Sequence, residues 1–412
     1  MAEVIIVGAG LAGLSCAREL ARANIPCLIV EASDGVGGRA RTDYLGGFLL
    51  DRGFQVLLTA YPEAQRSLDY TALQLGRFEP GALVRLSGKF HRVADPWRRP
   101  GAMLQTVFSP IGTLGDKLRI AKLRYQVTRG PLQAIFQSPE TSTSQFLRER
   151  GFSPVMIERF FRPFFGGIFL ESELRTSSRM FQFVFRMFSE GHAALPARGM
   201  GAMAEQMASR LPEGTIRLNA RATQVAAQSV MLATGERLSA RSVVIAADHA
   251  NACRLVPSMP QMRSKGATCL YFAAEKTPID EPTLVLNGDS SGPVNSVCVP
   301  NLVAAGYAPV GAHLVSVTVL GQREMADGQM QAAVRQQLTS WFGPAVQRWQ
   351  HLKSYFIPDA LPEQTSVVLG DESARLPEGS YACGDFLDTA SINGALRSGR
   401  QVAEALLADA RA

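Results

Sequence analysis

Gly8-Ala9-Gly10-Leu11-Ala12-Gly13 follows the apolar run Val4-Ile5-Ile6-Val7 and leads into Leu14 to Ala23, after which Cys27-Leu28-Ile29-Val30 is apolar again. The pattern reads strand, tight turn, helix, strand, which is one βαβ unit. The spacing G-x-G-x-x-G gives the three glycines different roles. Gly8 allows the tight turn, Gly10 lets a pyrophosphate approach the backbone, and Gly13 lets the helix pack on the strand. Free amides at the helix start, those of Leu11 and Ala12 among them, then face phosphate at the positive end of the helix. Glu31, followed by Ala32, closes the second strand, where its carboxylate can accept hydrogen bonds from both ribose hydroxyls and would repel a 2′-phosphate.

Three further segments distinguish FAD from NAD. Gly35-Val36-Gly37-Gly38-Arg39-Ala40-Arg41-Thr42 is a glycine turn that presents the Arg39 and Arg41 guanidinium groups to a second region of pyrophosphate. In Phe48-Leu49-Leu50-Asp51-Arg52-Gly53-Phe54-Gln55 a small residue lets the backbone lie flat against a ring system, with Gly53, Phe54 and Gln55 at its edge. Near the C-terminus, Ala382-Cys383-Gly384-Asp385 places a carboxylate after a strand, and Ser391-Ile392-Asn393-Gly394-Ala395 starts a helix. A helix N-terminus there stabilises negative charge on a reduced flavin.

With these segments in order, the chain resembles the superfamily of flavin amine oxidases, phytoene desaturases and protoporphyrinogen oxidases. The resemblance implies that Glu31 holds the adenosine ribose, Arg39 the pyrophosphate, Gly53 to Gln55 the flavin edge and Asp385 the ribitol-phosphate side, with Ile392 and Asn393 at flavin N1/O2. Leu195 to Met203 is similar to the family's return from the substrate domain to the FAD domain, and a strand from Ile216 to Val225 would lie near the adenine. In amine oxidases two aromatic residues cage the amine. Ser391 stands at one of those positions and Tyr355 lies at about the distance of the other, so an amine substrate fits the sequence less well. Ala390 to Ala395 is closer to the carotenoid desaturase branch. Lys265 begins the run that supplies a lysine near N5 in amine oxidases, but its spacing to Tyr271 fits poorly and it reads as a surface lysine.

The expected fold class is α/β: a Rossmann-like FAD-binding domain built from discontinuous segments (1–60, 195–258, 370–412) plus an α+β substrate domain, mostly helical over 61–194 and β-rich over 259–369. A hairpin turn is expected at Thr234-Gly235 and one helix near 328–342. Twelve of the 21 phenylalanines fall between Phe136 and Phe188. Singly they read as packing between helices, and together they suggest an apolar tunnel.

The 42 Lys and Arg exceed the 36 Asp and Glu by six, and ten of these cations lie within residues 81–130 against two Asp. That stretch reads as a solvated face, with an anionic surface as its alternative partner. On Leu114 to Val127 the apolar positions fall in two arcs, one of Leu114, Leu118, Ala121 and Tyr125, the other of Ile120, Leu123 and Val127, so no single membrane face is expected. No apolar run approaches the roughly 18 residues of a membrane span, and no signal peptide is read at the N-terminus. Six cysteines without CxxC spacing and five scattered histidines point to a reduced, cytoplasmic setting with no metal site.

The expected function is FAD-dependent dehydrogenation of a hydrophobic small molecule, an isoprenoid or polyene, with oxygen or a quinone as acceptor because no second G-x-G-x-x-G is present. Peripheral membrane contact is a further expectation, and nucleic acid is not an expected partner. The alternatives are an amine oxidase releasing hydrogen peroxide, and a non-redox lipid carrier or an isomerase on the same fold.

Overall fold

The computed structural model describes residues 3–94, 109–259, 261–321, 325–367 and 375–410. Five short strands form one parallel sheet in the order Ile216–Arg217, Cys27–Val30, Val4–Val7, Ser242–Ile245, Tyr381–Ala382. Val4–Val7 is buried along its whole length, as a strand covered on both faces of a parallel sheet must be. The first helix, Leu11–Arg22, packs against the last, Ile392–Asp409. Their close approach depends on Gly399, where a Cβ would lie 2.0 Å from the Ala12 carbonyl oxygen. Ser15 locks the pair by donating its hydroxyl to the Leu396 carbonyl at 2.7 Å.

The second sheet has seven strands in the order Gln350–Pro362, Ser264–Ala274, His313–Leu320, Val294–Cys298, Leu284–Asn287, Gly81–Leu86, Lys89–Ala94. Side chains alternate across it, as the pleat requires. Leu270, Phe272, Val315 and Val317 pack with Met330, Val334 and Leu338 of the helix Asp327–Phe342. Ala267, Cys269, Ser296 and Thr318 face the opposite way, into a large cavity. The Gly81–Leu86 and Lys89–Ala94 hairpin lies in the stretch read from sequence as mostly helical, and it extends this sheet through parallel pairing with Leu284–Asn287.

Helices Leu114–Thr128, Arg162–Phe169 and Ser178–Glu190 close the other side of the cavity. A π-helical turn, Ile157–Phe161, precedes Arg162-Pro163. Pro163 has no N–H for a regular helical bond, and wider turns commonly take up such a break. Rings at helical spacing then mesh: Phe165 and Phe181 lie 4.6 Å apart, Phe164 and Phe188 5.3 Å.

Two sequence expectations require correction here. Ile216 to Val225 is not one strand: Asn219 takes a left-handed φ of 54°, and the chain splits into Ile216–Arg217 and Ala222–Ala226. The latter joins Ser229–Leu232 and Arg237–Ser239 in a separate meander whose turn spans Thr234-Gly235, as expected. Lys265 is not on the surface. Its ammonium group donates to Glu171 Oε2 at 2.9 Å and to Thr176 Oγ1 at 3.0 Å in a buried ion pair.

Candidate cofactor and substrate site

The glycine turn has the geometry its spacing demands. At Gly8, φ is +113° and a Cβ would sit 2.7 Å from the Ala246 carbonyl oxygen; at Gly13 it would sit 2.1 Å from that of Gly8. Gly10 differs, because a Cβ there would meet nothing within 4 Å and would project into the cavity that Gly10 lines. Gly10 is also the N-cap of Leu11–Arg22, with no side-chain cap and no acidic residue in the first turn. Open space over a glycine, at the uncapped positive end of a helix, suits a phosphate.

The second glycine turn docks on the first, with the Gly37 amide donating to the Ala9 carbonyl at 2.8 Å. Glu31 Oε2 accepts from the Ala9 amide at 2.8 Å, and its Oε1 accepts from the Ser33 amide and hydroxyl at 2.8 and 2.7 Å. The carboxylate is therefore oriented before any ligand arrives. Oε2, with a single donor, retains accepting capacity toward the cavity, which Glu31 and Ala32 both line.

Arg39 reaches across the cavity wall. One terminal nitrogen donates to Asp385 Oδ1 at 2.6 Å and the other to the Ala360 carbonyl at 3.0 Å. Burial opposes the Arg39 charge most strongly of any single effect, but attraction and hydrogen bonding from Asp385, joined by attraction from Asp248 and Asp359, together outweigh it and raise its pKa. Gln55 Nε2 donates to the Arg39 carbonyl at 2.8 Å, tying the third segment to the second.

One cavity of about 1440 Å³ gathers most of the residues singled out from sequence: Gly8, Gly10, Leu11, Ala12, Glu31, Ala32, Gly38, Arg39, Gly53, Phe54, Gln55, Gly384, Asp385 and Ile392. Three stand off its wall. Gly13 is the buried helix-packing glycine. Arg41 turns to Asp34 at 2.9 Å and packs on Gly35, leaving its other terminal nitrogen buried without a partner among the described residues. Asn393 is buried and accepts from the Glu63 amide at 3.0 Å, so it anchors the neighbouring helix Pro62–Ser67.

Beyond the glycine turns the same cavity continues between Phe160, Phe164, Phe165, Phe185 and Phe188, with Met156, Met180 and Val184 beside them. Its size exceeds the roughly 300–1,000 Å³ of a usual small-molecule pocket, which leaves room for a dinucleotide and a second ligand. Tyr61 and His192 also line it, and neither carried a local sequence signal. Tyr355 does not line it. The Tyr355 hydroxyl donates to Asp43 Oδ2 at 2.7 Å, and the ring meets Tyr271 edge-on at 6.0 Å.

Two residues before Gly53, Asp51 is a buried carboxylate with no ion-pair partner among the described residues. Asp51 accepts from Thr42 Oγ1 at 2.6 Å, the Met200 amide at 2.9 Å and the Tyr307 hydroxyl at 2.7 Å. Burial pushes its pKa up to about 6, against the lowering effect of these three donors.

The architecture is that of FAD-dependent oxidoreductases. Similar solved structures are an oxidoreductase from Methanosarcina mazei (TM-score 0.73, 16% identity, 97% of this chain and 99% of that one) and putrescine oxidase bound to putrescine (0.69, 18%, 98% and 99%). Reduced UDP-galactopyranose mutase is similar too (0.71, 14%, 99% and 96%). The sequence profile of flavin containing amine oxidoreductases matches residues 11–407, and the chain belongs to that family. It is an FAD-dependent oxidoreductase. Among curated relatives, protoporphyrinogen oxidase 2 of Arabidopsis thaliana is 26% identical over 165 residues, 40% of this chain and 32% of that protein. Polyamine oxidase 2 of the same plant is 44% identical over 51 residues, 12% and 10% of the two chains. L-amino acid dehydrogenase of Synechocystis is 48% identical over 54 residues, 13% and 12%. These matches span about a third or less of the relatives' own length.

Proposed function

We propose that this enzyme dehydrogenates an apolar small molecule of the isoprenoid or polyene class, holding it in the phenylalanine-lined end of the cavity against FAD bound at the glycine turns. The observation that carries this reading is the continuity of the cavity from Gly10 to Phe188. The cofactor supplies a two-electron acceptor that takes hydride at flavin N5. This chain's residues do the remaining work. Gly8 would shape the turn, Gly10, Leu11 and Ala12 would cradle phosphate with backbone amides, Glu31 would receive a ribose, and Arg39 with Asp385 would hold the middle of the cofactor. Gly53 to Gln55 and Ile392 border its ring end, while the phenylalanine rings exclude water and orient the reacting C–H bond.

Ser391 and Tyr355 weigh against an amine substrate, because one is not aromatic and the other is turned to Asp43 away from the cavity wall. Oxygen or a quinone completes the cycle, in keeping with a single G-x-G-x-x-G in the sequence. Peripheral contact with a membrane belongs to the same reading: Leu114 and Leu118 line the cavity and are 62% and 74% exposed. Among the described residues no helix is long and apolar enough to cross a membrane.

The test is anaerobic mixing of the FAD-loaded enzyme with panels of polyenes and of amines, followed by flavin absorbance. Bleaching by a polyene and not by amines is expected. Amine-dependent bleaching, with peroxide released on admitting oxygen, would replace this reading by the amine oxidase one. Tight lipid binding that never bleaches the flavin would favour a carrier or an isomerase.

A further inference from the structure

Gln364 follows the long strand Gln350–Pro362 and is buried. Its Nε2 donates to the Asp388 carbonyl at 2.6 Å, and its Oε1 accepts from the Ala390 amide at 2.7 Å. One carboxamide thus brackets Thr389 by pairing with the C=O before it and the N–H after it, as the backbone of an adjacent strand would. The Gln364 main-chain carbonyl accepts from the Ser177 amide at 2.9 Å. Ser177 is the N-cap of Ser178–Glu190, the helix that brings Met180, Val184, Phe185 and Phe188 to the cavity.

The loop held in this way has little freedom of its own. A Cβ on Gly394 would lie 1.9 Å from the Thr389 carbonyl oxygen, so the loop presses on the start of the last helix. Asp388 is anchored through its side chain, by Arg397 at 2.9 Å and by the Thr389 amide at 2.6 Å. Those contacts leave the Asp388 carbonyl and the Ala390 amide to Gln364. Buried main-chain groups of this kind must be paired or the segment moves. The residues that follow, Ala390, Ser391 and Ile392, are cavity wall.

We propose that Gln364 is a positioning residue for the cofactor: it fixes the Asp388–Ala390 loop, and through it the wall formed by Ala390, Ser391 and Ile392, in register with the helix that shapes the substrate end. The proposal rests on reading that wall as part of the FAD site. It is independent of which substrate the enzyme takes.

Two measurements test it. In Gln364→Met the side-chain volume is kept and both hydrogen bonds are lost. FAD should bind about tenfold to a hundredfold more weakly, and the visible circular dichroism of the bound flavin should change. A purely structural role would lower the melting temperature and leave both readouts unmoved, and that result overturns the proposal. The second measurement, amide hydrogen exchange of the unaltered protein, does not depend on the variant folding. Before FAD is added, the Ala390 amide should exchange at least about a hundredfold more slowly than an open amide. Free exchange of Ala390 without FAD overturns the proposal. FAD should then slow exchange at Asp385 and Ile392. If Ala390 is protected but those two ignore FAD, the clamp exists and it is the reading of the wall that fails.

Discussion

Arg39 and Asp385 lie 346 residues apart in the chain and meet at 2.6 Å on the wall of the cavity. The contact joins the second glycine turn to the turn after Tyr381–Ala382, two segments that share no sheet pairing. Arg39→Met leaves Asp385 buried without its cation and removes a guanidinium from the cavity wall. Hydrogen bonds to charged groups contribute about 1.5–3 kcal/mol, so FAD affinity should fall by roughly one to two orders of magnitude. Fluorescence titration of the apoprotein with FAD measures this directly. An unchanged dissociation constant would remove Arg39 from the site.

Gly10 and Gly13 make opposite predictions although they belong to one motif. Gly10 has an extended conformation that alanine adopts freely, and its Cβ would enter open space. Gly10→Ala should therefore keep the melting temperature of the apoprotein and weaken FAD at least about tenfold, by holding the phosphates off the helix N-terminus. At Gly13 a Cβ would overlap the Gly8 carbonyl oxygen at 2.1 Å. Gly13→Ala should destabilise the protein by more than about 1 kcal/mol whether or not FAD is present. If both variants lose stability equally, Gly10 faces protein and not ligand.

This contrast shows what the sequence could reveal. The glycine turn was legible because its chemistry is confined to six consecutive residues, and strand, turn and helix must then follow in fixed order. Lys265 was misread because its partner Glu171 is 94 residues earlier, and nothing near Lys265 in the chain signals a buried carboxylate. The break at Asn219 has only a weak local signal, an asparagine that tolerates the left-handed region, and what enforces it is distant: the Asn219 amide bonds to the Ser33 carbonyl. Gln364 carries no motif at all. Its meaning lies in two main-chain groups that fold back from positions 388 and 390.

Asp51 should make stability depend on pH. Its pKa of about 6 in the fold lies above the roughly 3.9 of an unfolded aspartate, so the native state binds the extra proton between those values. Stability from this group is full below about pH 4 and is lost as pH rises through about 6, a loss on the order of 2–3 kcal/mol. Asp51→Asn removes the charge and can keep its contacts: the amide oxygen accepts from Thr42 and Met200, and the Tyr307 hydroxyl, which now donates, turns to accept. Urea unfolding from pH 4 to 7 should show wild type losing stability relative to the variant as pH rises. Parallel profiles would place Asp51 at its ordinary pKa.

The helix Leu114–Thr128 tests the membrane reading. The two apolar arcs read from its sequence separate in space. Leu123 and Val127 are buried and Ile120 packs against the core, whereas Leu114, Leu118 and Tyr125 are exposed. Lys117, Arg119, Lys122 and Arg124 lie on the same helix, so apolar side chains and cations are placed together where the cavity opens. Burying Leu114 and Leu118 in the headgroup boundary would yield about 1.5–3 kcal/mol each, added to attraction for anionic lipid. Wild-type protein should sediment with vesicles containing phosphatidylserine and much less with phosphatidylcholine alone. Leu118→Asp should reduce the bound fraction at least about tenfold without changing FAD affinity. Equal recovery of both proteins in the supernatant, at low salt and with anionic vesicles in excess, would leave these leucines as the lip of a cavity that fills from water.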